Sequence, residues 1–169
     1  MSKEYRGEPV DSSDHLVDEN NTELNEFEFG LIIANNAFQR WMVRCMSACG
    51  VKNLSPVDIL VLHNVNHREG SKRLSDICFT LNIEDSHTVS DALRKLVHLG
   101  FVEDKKSGKE VFYATTGKGV ELCHDYPKVR QQCLTRVIGA GSNEMGKLGR
   151  LLRSLSGFYD QAVRTATSL

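Results

Sequence analysis

Apolar residues recur at helical spacing in the middle of the chain, with a short polar break between two runs. The spacing predicts a helix at about 74–81 and a second helix at 86–98. Their apolar stripes are Leu74, Ile77, Cys78 and Leu81, then Val89, Leu93, Leu96 and Val97. Asp85 or Ser86 can cap the second helix, and Gly100 is placed to end it. The pattern therefore predicts two short helices joined by a tight turn.

A β-hairpin is predicted directly after the second helix. Its strands are expected at 102–104 and 111–114, and the basic, glycine-containing segment 105–109 is the expected turn. The residues opposite the apolar stripe of the second helix are His87, Asp91, Arg94 and His98. Two helices followed by a basic hairpin make a winged helix, in which the second helix suits a major groove and the hairpin tip can reach phosphate or the minor groove. We call 86–98 the recognition helix and 103–112 the wing.

Longer helices are predicted on either side of this region. The helix at 23–49 is apolar on more than one face, so it must be covered either by its own core or by a second subunit. Its apolar residues are Phe27, Phe29, Leu31, Ile32, Ile33, Ala34, Ala37, Phe38, Trp41, Met42, Cys45 and Met46. The terminal helix at 144–167 has its apolar stripe at Leu148, Leu151, Leu152, Leu155, Phe158, Tyr159 and Ala162. Because little local core remains for this stripe, we expect it to pair with the first helix and its mate in a dimer.

Local chemistry fixes several helix ends. Ser55 as N-cap and Pro56 at the first helical position predict a helix start, with Asp58 complementing the helix dipole. The inward residues of this helix are predicted to be Val57, Leu60, Val61, Asn64 and Val65. Thr116 is a predicted cap for the next helical segment, and Pro127 is expected to interrupt that segment and start a new helix at about 128–138.

Four motifs resemble the MarR family of bacterial transcription regulators. They are Leu-Ser-Asp-Ile at 74–77, Thr-Val-Ser at 88–90, Leu-Val-His-Leu-Gly-Phe-Val at 96–102 and Ala-Thr-Thr-Gly-Lys-Gly at 114–119. The resemblance implies a mainly α, winged helix-turn-helix protein that acts as a homodimer on pseudo-palindromic duplex DNA. It implies one domain at 23–169, with a dimerisation helix at 23–50, the winged helix at 54–116 and C-terminal dimerisation helices at 117–169. It also implies a small-molecule effector near Trp41, Cys45 and His63.

The candidate DNA contacts lie on the recognition helix, on the wing and just before the first short helix. They are Arg73, Ser86, His87, Thr88, Ser90, Asp91, Arg94, Lys105, Lys106 and Lys109. Arg94 can bind guanine through two hydrogen bonds, whereas Ser and Thr can bond phosphate or any base. Asp91 replaces a residue that is often basic in the family, and it can accept from cytosine or pair with Lys95. The basic segment 68–73 either contacts phosphate or is a solvated loop.

The wing tip also departs from the family pattern. Many relatives carry Asp-x-Arg there, and the arginine enters the minor groove. This chain has Ser-Gly-Lys-Glu at 107–110, so Lys109 is the nearest substitute. Lysine is a point charge rather than a planar fork, so we expect weaker minor-groove selectivity.

Charge is unevenly distributed along the chain. The net charge is −1, but residues 1–28 carry nine acidic and two basic residues, so residues 29–169 carry a surplus of six basic residues. A basic body suits a nucleic-acid partner. Residues 1–22 are predicted to be disordered, either as a solubilising tail or as an arm that contacts a basic surface or the partner subunit.

Other functional classes find little support in the sequence. There is no glycine-rich phosphate loop, no Gly-x-Ser-x-Gly motif and no spaced carboxylate pair, so neither an enzyme nor a cofactor is predicted. His63 and His67, like Cys45 and Cys49, have metal-chelating spacing, but nothing completes a ligand set. Redox sensing needs an exposed, electropositive thiolate, which the sequence assigns to none of the five cysteines. The alternative that stays open is a winged helix used for protein contact.

The expected location is the cytoplasm. The polar, acidic N-terminal residues do not form a secretory signal, and no apolar run approaches the roughly 20 residues of a membrane span. The odd number of cysteines argues against a disulfide framework.

Overall fold

The computed structural model describes residues 22–68, 70–138 and 142–169, and the predicted tail therefore lies outside it apart from Thr22. The helices are α1 (Thr22–Ala48), α2 (Pro56–Asn66), α3 (Leu74–Leu81), α4 (Ser86–His98), α5 (Gly117–Arg130), α6 (Arg136–Ile138) and α7 (Ser142–Ala166). The strands are β1 (Lys72–Arg73), β2 (Val102–Ser107) and β3 (Glu110–Thr115). The predicted mainly α winged helix is confirmed. The chain divides into two compact units, one ending at Tyr126 and the other beginning at Pro127.

Helix α2 is the centre of the first unit. Ser55 caps it as predicted, because its hydroxyl accepts from the Asp58 backbone N–H at 3.2 Å while the Asp58 carboxylate accepts from the Ser55 N–H at 2.7 Å. The buried apolar residues of α2 and α4 are Ile59, Val61, Leu62, Val65, Val89, Ala92, Leu93 and Leu96. The predicted inward set for α2 was incomplete, because Ile59 and Leu62 are fully buried whereas Val57 and Leu60 are only half-buried. Since α2 is covered on several sides, no single stripe describes it.

Helix α1 is buried only near its C-terminal end, where Met42, Cys45 and Met46 enter the core. The preceding turns expose large apolar residues, namely Leu24, Phe27, Ile32, Ile33 and Phe38. As predicted, α1 therefore has more apolar surface than a single chain covers.

The wing differs from its prediction in two ways. Strand β2 extends to Ser107 and strand β3 begins at Glu110, so Lys105 and Lys106 lie in a strand rather than in the turn. The turn is a tight one around Gly108, whose φ of 62° favours glycine. In addition, Lys72 and Arg73 form β1 and pair with Tyr113 and Phe112, which gives an antiparallel sheet in the order β1-β3-β2. This segment was predicted as a loop.

Helix α5 runs through Pro127, so the predicted break at this proline is wrong. Proline removes one N–H donor, but Leu122, Cys123 and Tyr126 are buried, and this packing holds the segment helical. A π-helical turn at Gln131–Thr135 follows, then α6. The predicted cap is confirmed, because the Thr116 hydroxyl accepts from the Gly119 N–H at 3.2 Å.

The second unit contains the long helix α7. Its apolar stripe is mostly exposed in the single chain, and Leu151 and Phe158 expose 67% and 69% of their surface. None of the helices within the described ranges combines the length and apolar character needed to cross a membrane.

Candidate nucleic-acid interface

Asp85 begins the recognition helix α4. Its carboxylate accepts from the His87 backbone N–H at 2.9 Å and from the Thr88 hydroxyl at 2.8 Å. The hydrogen bond from the Thr88 side chain, and to a smaller extent that from the His87 backbone, hold the pKa of Asp85 below its ordinary value. Thr88, a predicted DNA contact, therefore serves the cap in this structure.

The outward face of α4 is polar, as predicted. Ser86, His87, Asp91, Arg94 and His98 are exposed, whereas Thr88 and Ser90 are half-buried. Arg94 forms an ion pair with Asp91 within this face. The alternative pairing of Asp91 with Lys95 does not form, because the Lys95 ammonium binds Asp58 on α2 instead.

Lys95 binds Asp58 on α2, with 2.6 Å between the ammonium and Oδ2. The side chain of Asp58 is only 6% exposed and also belongs to the α2 capping box. This ion pair joins the start of α2 to the recognition helix, and the sequence analysis missed it. An acidic residue at the third position of a capped helix gives no sign of a second partner 37 residues away.

The basic residues of the wing point in different directions. Lys105 lies opposite Phe112 and Lys106 opposite Val111, so successive side chains alternate between the two faces of the hairpin. Lys109 is exposed in the tight turn. The three predicted contacts are thus close together along the wing, and Lys105 and Lys106 lie on opposite faces of the hairpin.

Arg73 lies at the junction between the wing and α3, and its guanidinium is engaged by carboxylates. It donates to both oxygens of Asp76, at 3.0 and 3.1 Å, and to Glu110 at the wing tip, at 3.0 Å. The Arg73 hydrogen bond holds the pKa of Asp76 below its ordinary value, and the two carboxylates raise the pKa of Arg73. Neighbouring Lys72 turns the other way and donates to the His67 carbonyl at 2.6 Å, which caps the end of α2.

Of the three candidate effector residues, only His63 lines the groove described below. Cys45 is buried and its thiol donates to the Tyr126 carbonyl at 3.6 Å, and Trp41 is half-buried. His63 packs edge-on against Tyr126, with 4.7 Å between the ring centres. It also lines an open groove of about 450 Å³ whose other residues are Leu60, Asn64, Asn66, His67, Arg68 and Leu81. Asn64 is buried there, and its Oδ1 has no hydrogen-bond partner among the residues that the structure describes.

Two of the cysteine thiols, those of Cys49 and Cys123, have raised pKa values. Burial raises the pKa of Cys123 to about 11. Burial, and then the charge of Asp125, raise the pKa of Cys49, although a hydrogen bond with Cys45 partly opposes this. Within the described ranges, no three side chains of the metal-ligating kinds come together.

Comparison with known proteins bears on the region just described. Residues 54–119 match the sequence model of a winged helix DNA-binding domain. They contain α2, the recognition helix and the wing. No curated protein matches the chain.

Solved structures match nearly the whole described chain. NMB1585, a MarR family regulator from Neisseria meningitidis, superposes with a TM-score of 0.65 at 17% identity, covering 83% of this chain and 96% of that one. The chain has the MarR-family fold. Reduced AbfR bound to DNA gives a TM-score of 0.70 at 16% identity, covering 84% and 98% of the two chains. A Staphylococcus aureus MarR in complex with salicylate and kanamycin gives 0.65 at 15% identity, covering 85% and 96%. The matched sequence model is that of a DNA-binding domain, and the superposed structures share the MarR fold.

Proposed function

We propose that this chain is a MarR-type transcription regulator that binds pseudo-palindromic duplex DNA as a homodimer. One observation carries the proposal: the exposed, polar face of α4 and the basic wing belong to one winged helix. The core residues of α4 are buried against α2, so its outward face has no role in the core. An exposed helix face of this width fits a major groove, and a two-stranded tip fits the adjacent backbone or minor groove. The DNA-bound structure of AbfR, which shares the fold, supports the same use.

On the outward face of α4 we assign the reading of base sequence to Arg94. On the wing we assign phosphate binding to the lysines. Arg94 is exposed and can present its planar fork to guanine once it leaves Asp91. Ser86 and His87 lie in the first turn, where the helix N-terminus favours a phosphate. Lys105, Lys106 and Lys109 add charge without base preference.

The dimer part of the proposal rests on two exposed apolar faces. One is on α1, and the other is on α7 at Met145, Leu148, Leu151, Leu152, Phe158, Tyr159 and Val163. Many large apolar side chains exposed along one helix are typical of an interface. We propose that both faces are buried against their mates in a second copy, which would place two recognition helices about 34 Å apart, one turn of DNA.

The regulatory part of the proposal concerns the groove at His63. A buried carbonyl oxygen such as Asn64 Oδ1 is costly unless a donor reaches it, and a ligand in the groove could supply that donor. The salicylate complex of the Staphylococcus aureus relative makes salicylate the first probe. Salicylate should raise the thermal midpoint of the protein and change its DNA affinity, and Asn64→Leu should remove both effects. If salicylate and related aromatic acids change neither property, this groove is not an effector site.

In vitro selection from a random duplex pool tests the DNA function. We expect the selected sequences to contain inverted repeats, and the purified protein to bind them about 10³-fold tighter than shuffled duplexes. Selection of single, unrepeated sites would contradict the dimer. Enrichment of no sequence would favour the alternative, a winged helix used for protein contact.

A further inference from the structure

The wing tip has no packing that would hold it in place. All residues from 103 to 110 are exposed, and the tip turns at Gly108. Pairing of β1 with β3 at Tyr113 and Phe112 holds the base of the hairpin to the domain, but beyond Phe112 the tip has only the ladder between β2 and β3. A contact at the tip from outside the β2–β3 hairpin would therefore fix the direction in which the tip projects.

Arg73 supplies such a contact. It lies on β1, pairs with Phe112 and reaches diagonally along the sheet to Glu110, the first residue of β3. Its other donors hold Asp76 in the first turn of α3 through two parallel hydrogen bonds. Asp76 also accepts from the Arg73 backbone N–H at 3.3 Å. One guanidinium therefore ties the wing tip to the first helix of the helix-turn-helix.

We infer that Arg73 is a positioning residue that fixes the wing tip through Glu110, rather than a phosphate ligand as the sequence suggested. The planar fork matches this role, because a bidentate pair fixes direction as well as distance. Exposed ion pairs contribute little to global stability, so the effect belongs to wing geometry. Glu110 is adjacent to Lys109, and the contact therefore controls where Lys109 is presented to DNA.

The expected effect on DNA affinity rests on the proposed DNA function. Whether Glu110→Gln raises or lowers that affinity decides between a positioning role and a purely electrostatic effect. Removing a carboxylate beside DNA should tighten binding if charge alone matters. Loss of the Arg73 contact should instead weaken it. We expect Glu110→Gln to weaken binding to the selected duplex about three- to tenfold. Arg73→Gln should do the same, and the double variant should be no weaker than either single variant.

The matched control is Glu103→Gln, which removes the same charge from an exposed wing residue on the same face of the hairpin. It should leave affinity unchanged or raise it. If Glu110→Gln also raises affinity, or if the two Arg73 and Glu110 effects are opposite and additive, Arg73 is a phosphate ligand and the inference is wrong. Equal thermal midpoints for the variants would exclude general unfolding as the cause.

A measurement on the free protein separates this inference from the DNA function. Backbone hydrogen exchange at 105–112 should be faster in Glu110→Gln and Arg73→Gln than in wild type or Glu103→Gln, while exchange in α2 stays unchanged. Unchanged exchange in the wing would overturn the positioning role even if the protein binds DNA. Faster exchange in a protein that binds no duplex would refute the proposed function and leave the wing contact established.

Discussion

Gly119 lets the start of α5 pack closely against the backbone of Phe101. A Cβ atom at this position would lie 2.1 Å from the Phe101 carbonyl oxygen, so the start of α5 can pack here only if residue 119 is glycine. Thr116 and Lys118 strengthen the same junction, with hydrogen bonds of 2.7 Å to the Gly100 carbonyl and 3.0 Å to the Leu99 carbonyl. The Thr-Gly-Lys-Gly motif thus has a structural reason that concerns the core rather than DNA.

We predict that Gly119→Ala lowers the free energy of unfolding by about 2 kcal/mol or more, because the backbone must shift to relieve the contact. Gly117→Ala is the matched control, since a Cβ there meets nothing within 4 Å. Its effect should stay within about 1 kcal/mol. Urea unfolding of the two variants measures the difference, and equal midpoints would contradict this explanation.

At the residue scale, sequence reasoning worked where the chemistry is local. The caps at Ser55, Asp85 and Thr116 were predictable, because each acts on N–H groups within three residues. The ion pairs of Arg73 with Glu110 and of Lys95 with Asp58 were not predictable. Each joins residues 37 positions apart, and only the folded chain brings them together.

At the element scale, α3 and α4 begin and end where the sequence predicted, because their stripes and their flanking breaks agree. The wing was predicted with too long a turn. Lys105 and Lys106 have the composition of a turn, yet hydrogen bonding to β3 needs no apolar side chains. Strand β1 was missed for a related reason, since two residues form a strand only where a partner edge is available.

The prediction for α5 failed for the opposite reason, because packing overrides a strong local preference. Pro127 predicts a break, but buried residues on the preceding turns hold the helix in place. The outward face of α4 was predictable in full, because it follows directly from the periodicity of the buried one. The sequence did not predict which residues of this face are free to contact DNA, since Thr88 and Arg94 each have a partner within the helix or its cap.

At the scale of the whole molecule, the exposed stripe of α7 is the strongest evidence for a second copy. A single chain gains nothing from exposing Leu151 and Phe158, whereas burying them in a dimer contributes about 25 cal/mol per Å². The sequence predicted the stripe but could not show that the chain itself leaves it uncovered.

We predict that Leu151→Glu shifts the protein from dimer to monomer in analytical ultracentrifugation and weakens DNA binding, because each monomer then holds one half-site. Arg153→Glu, on a charged position of the same helix, is the control and should leave the dimer intact. A Leu151→Glu protein that remains dimeric at micromolar concentration would show that α7 is not the interface.

The most direct test of the DNA function is a titration of the wild-type protein against the selected duplex at about 50 mM and 200 mM salt. The polar helix face and the wing lysines predict that affinity falls at least about 100-fold between these conditions, since each phosphate neutralised adds about 0.9 to the log–log slope. Absence of binding below about 100 μM at the lower salt, or binding that does not change with salt, would contradict the proposed interface.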